Sequence, residues 1–257
     1  MNNKNTVYLI KERGHPYLYH WIVLMLGGLR HINENEYPIE ICFEYLENQG
    51  YHLESLEIIK DKYKLVEKPL NKNILKENEG EIMIKDDEVD KNTFLFLRDL
   101  FLSRIENMEI KNIKRIYITR KNSGKVNPYN NGISKREILN EEKIYNFLKE
   151  NQFEIISLED YCFSDKVNIF RNADVIISPN SSALTFCIFC KKDCKVIEIN
   201  SNDVPNSNHY QNICLSLNIS YFKYSNIEVV GVPFHINASY NILLKEKDFI
   251  DFIKNKI

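Results

Sequence analysis

Residues Val175-Ile-Ile-Ser-Pro-Asn-Ser-Ser-Ala-Leu-Thr-Phe186 give the clearest indication of the fold class of this chain. The first four residues indicate a buried strand, Pro179-Asn180 predicts a tight turn, and Ser181-Ser182-Ala183 opens a helix. A strand that turns directly into a helix is the repeating unit of parallel α/β sheets. The start of such a helix presents unpaired backbone N–H groups and the positive end of the helix dipole, which together can bind a phosphate. The alternative is that the two serines only cap the helix.

The same alternation of short apolar runs and helical patterns continues on both sides of this stretch and predicts an α/β fold. We expect two domains, residues 1–110 and residues 111–257, because the pattern changes near residues 107–112 from ragged to regular. The last helix is expected to pack back on the N-terminal domain. Predicted strands cover residues 6–10, 38–43, 63–66, 82–84, 115–119, 154–157, 174–178 and 195–199, and predicted helices cover residues 16–31, 51–59, 91–105, 139–151, 164–172, 181–189, 208–217 and 247–256.

Composition and charge point away from nucleic acid and membranes as partners. The 257 residues carry 34 basic and 36 acidic side chains, a net charge of −2, which provides no general attraction for nucleic acid or an anionic membrane. The longest apolar run, residues 21–29, is shorter than the roughly 20 residues of a membrane span, and residues 1–5 lack the apolar core of a signal peptide. We therefore expect a cytoplasmic protein.

Six cysteines include the spacing Cys187-x-x-Cys190-x-x-x-Cys194, which superficially resembles a metal site. No clear fourth ligand stands nearby in the sequence, and Cys187 and Cys190 fall in an apolar helical stretch. Small buried thiols are common in protein cores. The three cysteines are therefore interpreted as core residues, and no metal is expected.

Candidate ligand groups follow the predicted strands of the C-terminal half. Arg120 comes directly after the strand at residues 115–119, and Arg136 opens the next helix. An arginine fork pairs with two oxygens at once, so these side chains and the Ser181 helix start together predict a diphosphate site. Glu198 interrupts an apolar strand, where its carboxylate either accepts from a ribose hydroxyl or points to solvent. His209 begins a later helix and is a further candidate contact.

These motifs, in this order, resemble the core of glycosyltransferase family 61. The resemblance is carried by Arg120, Arg136-x-x-x-Asn140-Glu141-Glu142, Phe170-x-x-Ala173, Pro179-x-Ser-Ser-Ala-Leu-Thr185 and Val196-Ile-Glu-Ile199, and Tyr19-His20-Trp21 is similar to the family's F-H-W motif. Three positions depart from the family pattern: a usual Gly is Ser181, a frequent His is Asn180 and a common Asn is Phe186. The Cβ of Ser181 is expected to narrow the space for a phosphate.

The resemblance implies a GT-B-like architecture of two Rossmann-like domains facing a cleft. It also implies an inverting transfer, without metal or other cofactor, from a nucleotide sugar that we expect to be UDP-linked to a hydroxyl of a glycan or protein. The sequence agrees in lacking an Asp-x-Asp motif. His20 is the candidate catalytic base, with Glu34 and Glu36 as substitutes. The donor-binding residues implied are Arg120, Arg136, Asn140, Asn180, Ser181, Ser182, Ala183, Glu198 and His209.

Several alternatives stay open. One is a GT-B-like pyruvyltransferase acting on polysaccharide, which would not bind a nucleotide diphosphate, and another is a non-catalytic nucleotide-sugar-binding scaffold, which the departures at Asn180 and Ser181 would suit. Within the leading interpretation, the sugar is a hexose, an N-acetylhexosamine or a pentose. Residues 121–134 are either a lid over the donor or a surface insertion, and a homodimer is compatible with the sequence.

Overall fold

The computed structural model describes residues 6–9, 18–32, 40–43, 50–67, 86–107, 113–121, 137–202, 208–232 and 239–257. The chain divides into two compact units, an N-terminal unit of residues 1–107 and 162–164 and a C-terminal unit of residues 108–161 and 165–257. Some predicted features lie outside the described residues: the strand at residues 82–84, Glu34, Glu36, Arg136 and the loop from residue 122 to residue 134.

The N-terminal unit contains a parallel sheet of β1 (Thr6–Leu9), β2 (Glu40–Phe43) and β3 (Lys64–Glu67), in that order. The α-helices among its described residues are α1 (Gly50–Ile59) and α2 (Lys91–Leu102). Helix α2 begins where Asp90 accepts a hydrogen bond from the Thr93 N–H at 2.9 Å and donates its own N–H to the Thr93 hydroxyl at 3.3 Å. This reciprocal cap satisfies two backbone donors that a helix start would otherwise leave unpaired.

The predicted helix at residues 16–31 contains a π-helix, His20–Leu26, and a 3₁₀ turn, Leu29–His31. All residues from Trp21 to Leu26 are buried, so the segment is enclosed on every side. The Trp21 indole N–H donates to the Ser55 hydroxyl at 2.9 Å, which ties the start of the π-helix to α1. The sequence could not predict that this segment is a π-helix and not an α-helix. A helix that is apolar on every side has no periodic apolar face from which the number of residues per turn can be deduced.

The C-terminal unit confirms the α/β class, since its main sheet has five parallel strands in the order β5-β4-β6-β7-β8. The strands are β4 (Arg115–Ile118), β5 (Phe153–Ile156), β6 (Val175–Pro179), β7 (Lys195–Ile199) and β8 (Ser220–Tyr224). The longer helices among its described residues are α3 (Tyr145–Glu150), α4 (Phe163–Asn172), a 3₁₀ helix (Ser182–Phe189), α5 (His209–Ser216) and α6 (Glu246–Lys254). Helix α4 has its first two residues in the N-terminal unit.

The strand order places a topological switch point between β4 and β6. After β4 the chain moves outward to β5, then returns to β6 on the other side of β4 and continues outward to β8. Ligands of open α/β sheets bind outside the carboxyl ends of the strands at such a point. Tyr117 of β4 is paired with Ile177 of β6. If the same register is continued past the ends of the two strands, Arg120 lies level with Asn180.

A hairpin of β9 (Ile227–Val232) and β10 (Ser239–Leu244) forms a second, antiparallel sheet. The prediction of a helix from residue 139 starts too early, because the Leu139 N–H donates to the Ile242 carbonyl at 2.9 Å and this segment lies beside β10. A 3₁₀ turn, Glu141–Ile144, follows and leads into α3.

The last helix, α6, buries Phe249 and Ile253 in the core of its own C-terminal unit, where Tyr240 also lies. Its packing on the N-terminal unit stays a prediction. None of the described helices has the length and hydrophobicity needed to cross a bilayer.

Candidate functional site

Arg120 lies just past the carboxyl end of β4, and hydrogen bonds fix the residues on both sides of it. The Thr119 N–H donates to the Ile156 carbonyl at 2.9 Å, which continues the ladder between β4 and β5. The Thr119 hydroxyl donates to the Glu141 carboxylate at 2.6 Å and accepts from the Lys121 N–H at 2.9 Å. Arg120 itself is half-buried. Its position at the switch point is therefore set by hydrogen bonds of both neighbours.

The turn after β6 lies level with Arg120 across the switch point. The Asn180 N–H donates to the Ile199 carbonyl at 2.9 Å, so the turn is attached to β7. Ser181 occupies the N-cap position of the 3₁₀ helix, but its side chain makes no capping hydrogen bond. The Ser181 side chain is buried, and its hydroxyl oxygen has no hydrogen-bond partner among the described residues. The capping interpretation of this serine is therefore not supported.

The replacement of the family's usual glycine by Ser181 introduces no backbone strain. Ser181 has φ −158° and ψ 158°, which is extended backbone that any residue adopts. The next two residues, Ser182 and Ala183, form the first turn of the 3₁₀ helix and are half-buried. The Cβ of Ser181 adds volume beside the turn, but the conformation itself does not call for glycine.

Glu198 is buried, with 1% of its surface exposed, and so it does not point to solvent. Its Oε1 accepts from the amide of Asn180 at 2.7 Å and from the amide of Asn200 at 3.2 Å, and its Oε2 accepts from the Tyr221 hydroxyl at 2.6 Å. Burial and the negative charge of Glu198 raise the pKa of Tyr221, which keeps the hydroxyl protonated as a donor. The carboxylate thus joins the turn after β6 to β7 and β8.

A second buried carboxylate, Glu141, belongs to the family-like motif but was not among the predicted donor-binding residues. Its Oε2 accepts from the Tyr117 hydroxyl at 2.9 Å, and its Oε1 accepts from Thr119. Burial, the charge of Glu141 and a hydrogen bond to it raise the pKa of Tyr145 to about 12. The sequence signal for Glu141 was its place in the motif beside Asn140, but nothing local distinguishes it from the exposed Glu142.

The remaining candidates are spread over both units. The side-chain NH₂ of Asn140 donates to the Leu244 carbonyl at 2.9 Å, and its Oδ1 accepts from the Leu244 N–H at 2.9 Å. This side chain therefore connects β10 to the segment before α3. His209 is the half-buried first residue of α5. His20 is the half-buried first residue of the π-helix in the N-terminal unit, and its ring meets that of Tyr19 edge-on at 5.8 Å. Isolated π-type turns are frequent at functional sites.

The cysteines of the Cys187-x-x-Cys190-x-x-x-Cys194 pattern are buried in the core of the C-terminal unit. Burial and hydrogen bonds to Cys190 and Cys214 raise the pKa of the Cys187 thiol well above its ordinary value. Metal ligation requires the thiolate form, which such an environment disfavours. These observations support the interpretation of the three residues as core thiols.

Comparison with known proteins covers most of the candidate residues. A family model described as Glycosyltransferase 61 matches residues 18–197, which is more than half of the chain. The chain belongs to glycosyltransferase family 61. The match confirms the resemblance and includes His20, Arg120 and Ser181, and it ends just before Glu198. No curated protein sequence matches the chain. Membership of family 61 implies that this protein transfers a sugar from a donor to an acceptor.

Proposed function

We propose that this family 61 protein transfers a sugar with inversion, and without a metal ion, from a UDP-linked donor to a hydroxyl of a glycan or protein. One observation carries the proposal. The strand order of the C-terminal unit makes β4 and β6 neighbours, so Arg120 and the Ser181 turn lie at the same switch point. An arginine beside a helix start at this place in an α/β sheet is suited to a diphosphate.

The two sides of the switch point supply complementary donors. The Arg120 guanidinium can pair with two phosphate oxygens, while the first N–H groups of the 3₁₀ helix and the buried Ser181 hydroxyl can donate to the others. As the bond between the sugar and the phosphate breaks, negative charge develops on the leaving UDP. Donors already fixed in place stabilise that charge without having to reorganise, which is the largest contribution in many enzymes.

Inverting transfer requires a base. The base takes the proton of the acceptor hydroxyl while the oxygen of that hydroxyl attacks the anomeric carbon of the donor sugar. An imidazole has a pKa suited to this role near neutral pH, and His20 is the residue that we assign to it. The assignment is supported by the F-H-W-like motif and by the place of His20 in the matched region. A GT-B arrangement of the two units, the absence of a metal or other cofactor, a cytoplasmic location and a homodimer remain parts of the proposal that rest on the sequence.

Nucleotide binding tests the phosphate site by calorimetric titration of UDP, GDP and dTDP into purified protein. We expect UDP to bind, and Arg120→Ala to weaken its binding by about 10–100-fold, because a charge-assisted hydrogen bond contributes about 1.5–3 kcal/mol. Arg115→Ala is the matched control, since Arg115 lies at the opposite end of the same strand and donates to the Asn151 carbonyl at 3.1 Å. Equal UDP affinity in the two variants would contradict this site.

Turnover tests the rest of the proposal with the corresponding nucleotide sugars. We expect release of UDP from a UDP-sugar, and His20→Ala should lower kcat while leaving UDP affinity unchanged. Binding without turnover across acceptors would favour a non-catalytic nucleotide-sugar-binding protein. No binding of any nucleotide would contradict the proposal and favour a transferase of the pyruvyl type.

A further inference from the structure

The backbone around Arg120 depends on one buried carboxylate. Glu141 is 3% exposed and accepts from the Thr119 hydroxyl at 2.6 Å and the Tyr117 hydroxyl at 2.9 Å. The Thr119 hydroxyl in turn accepts from the Lys121 N–H at 2.9 Å. A continuous chain of hydrogen bonds thus runs from the residue after Arg120, through the residue before it, to Glu141.

We propose that Glu141 is a positioning residue that sets the orientation of Arg120 toward the diphosphate of the donor. This inference rests on the proposed function, because it takes Arg120 as the diphosphate ligand. Glu141 acts through Thr119 and does not touch the donor. Its burial and the hydrogen bonds that it accepts from the Tyr117 and Thr119 hydroxyls at the end of β4 are the observations that assign the role.

The direction of each hydrogen bond explains why a carboxylate is required. An ionised carboxylate only accepts, so the Tyr117 and Thr119 hydroxyls must both donate to it. The oxygen of Thr119 is then left to accept from the Lys121 N–H, which defines the turn that holds Arg120. In Glu141→Gln, an amide NH₂ replaces one of the two carboxylate oxygens. The hydroxyl that faces this NH₂ then has no acceptor for its hydrogen bond. Because Tyr117 is fully buried, water cannot easily replace the lost acceptor.

The adjacent residue provides a comparison within the same motif. Glu142 is largely exposed and forms a surface ion pair with Lys121. Exposed ion pairs contribute little, so Glu142→Gln should leave nucleotide binding unchanged. Glu141→Gln makes the same chemical change one residue earlier, where the side chain is buried and bonded to Thr119. The pair of variants therefore separates the role of the hydrogen-bond chain from that of local charge.

A double-mutant cycle on UDP affinity tests the inference. Glu141→Gln is expected to weaken UDP binding by about tenfold, a coupling of the size found between residues of one hydrogen-bond network. In the Arg120→Ala background the same change should have no further effect, because Glu141 acts through Arg120. Glu142→Gln should leave UDP affinity unchanged relative to its parent in either background. Additive losses from Glu141→Gln and Arg120→Ala, or no loss from Glu141→Gln, would overturn the inference.

A second pair of variants keeps the test informative if Glu141→Gln does not fold. Thr119→Val keeps the branched shape but removes the hydroxyl that links Glu141 to Lys121, and Thr119→Ser restores the hydroxyl. We expect weaker UDP binding for the valine variant and recovery for the serine variant, with thermal unfolding as the check on folding. Equal affinity in the two would overturn the inference. If Arg120→Ala itself leaves UDP affinity unchanged, the proposed diphosphate site fails, and the positioning role fails with it.

Discussion

Replacing Ser181 by alanine is expected to move stability and donor affinity in opposite directions. The Ser181 side chain is buried at 4% exposure, and its hydroxyl has no hydrogen-bond partner among the described residues. It makes no helix-capping hydrogen bond that alanine would remove. Burying this hydroxyl therefore lowers the free energy of unfolding of the ligand-free protein. In the proposed site, a phosphate oxygen would provide the missing acceptor.

The two effects have separate magnitudes. A buried polar group without a partner costs about 1–3 kcal/mol, so Ser181→Ala should raise the free energy of unfolding by a value in that range. For a protein of this size each kcal/mol corresponds to a rise in Tm of about 2–4 °C. Loss of a hydroxyl that donates to a charged phosphate oxygen should weaken UDP binding by about 10–100-fold.

Thermal unfolding followed by circular dichroism and calorimetric titration of UDP measure the two effects on one preparation. Thr185→Val is the matched control, because the Thr185 hydroxyl is equally buried and lacks a hydrogen-bond partner in the described structure, but lies farther along the 3₁₀ helix. We expect this control to raise Tm without changing UDP affinity. A Ser181→Ala variant that is less stable than the wild type, and that binds UDP as the wild type does, would show that this hydroxyl is neither unpaired in the free protein nor in contact with a phosphate.

Two further predictions concern buried and capping carboxylates. Glu198→Ala leaves three hydrogen-bond donors without their acceptor. We therefore expect the free energy of unfolding, measured by thermal unfolding, to fall by about 3 kcal/mol or more. Glu198→Gln can still accept from Asn180 and should lose less in the same assay. Burial alone would raise the pKa of Asp90, but hydrogen bonds from Thr93 and Arg30 lower it to about 2. This carboxylate therefore stabilises the protein above its unfolded pKa of about 3.9 and loses that effect as pH falls through about 2. Asp90→Ala should cost about 1 kcal/mol near pH 7, with a gap to the wild type that narrows between about pH 4 and pH 2 in thermal unfolding.

Fully buried strands could be predicted from the sequence with little error. The strand predicted at residues 195–199 is β7 with the same bounds, and the stretch from Val175 to Phe186 is a strand, a turn and a helix, as its residues indicate. A strand covered on both faces is a continuous apolar run whichever strands lie beside it. Strands β9 and β10 were missed because their side chains alternate between more and less covered positions, and β8 was missed because most of its side chains are only half-buried. Both patterns are weaker signals over five or six residues than a fully buried run.

The site itself depended on information that no local pattern contains. Arg120 and Ser181 are 61 positions apart in the sequence, and the pairing of β4 with β6 brings both to the same switch point of the sheet. Strand order results from how the connecting segments pack on the sheet, which a strand's own residues do not specify. The same holds for Glu141 and Glu198: each is a single acidic residue in the sequence, and each becomes a buried hydrogen-bond acceptor because tertiary packing brings hydroxyls and amides from other elements to it. The residue types therefore indicated the chemistry of the proposed phosphate site, whereas only the order of the strands brings those residues to one place in the sheet.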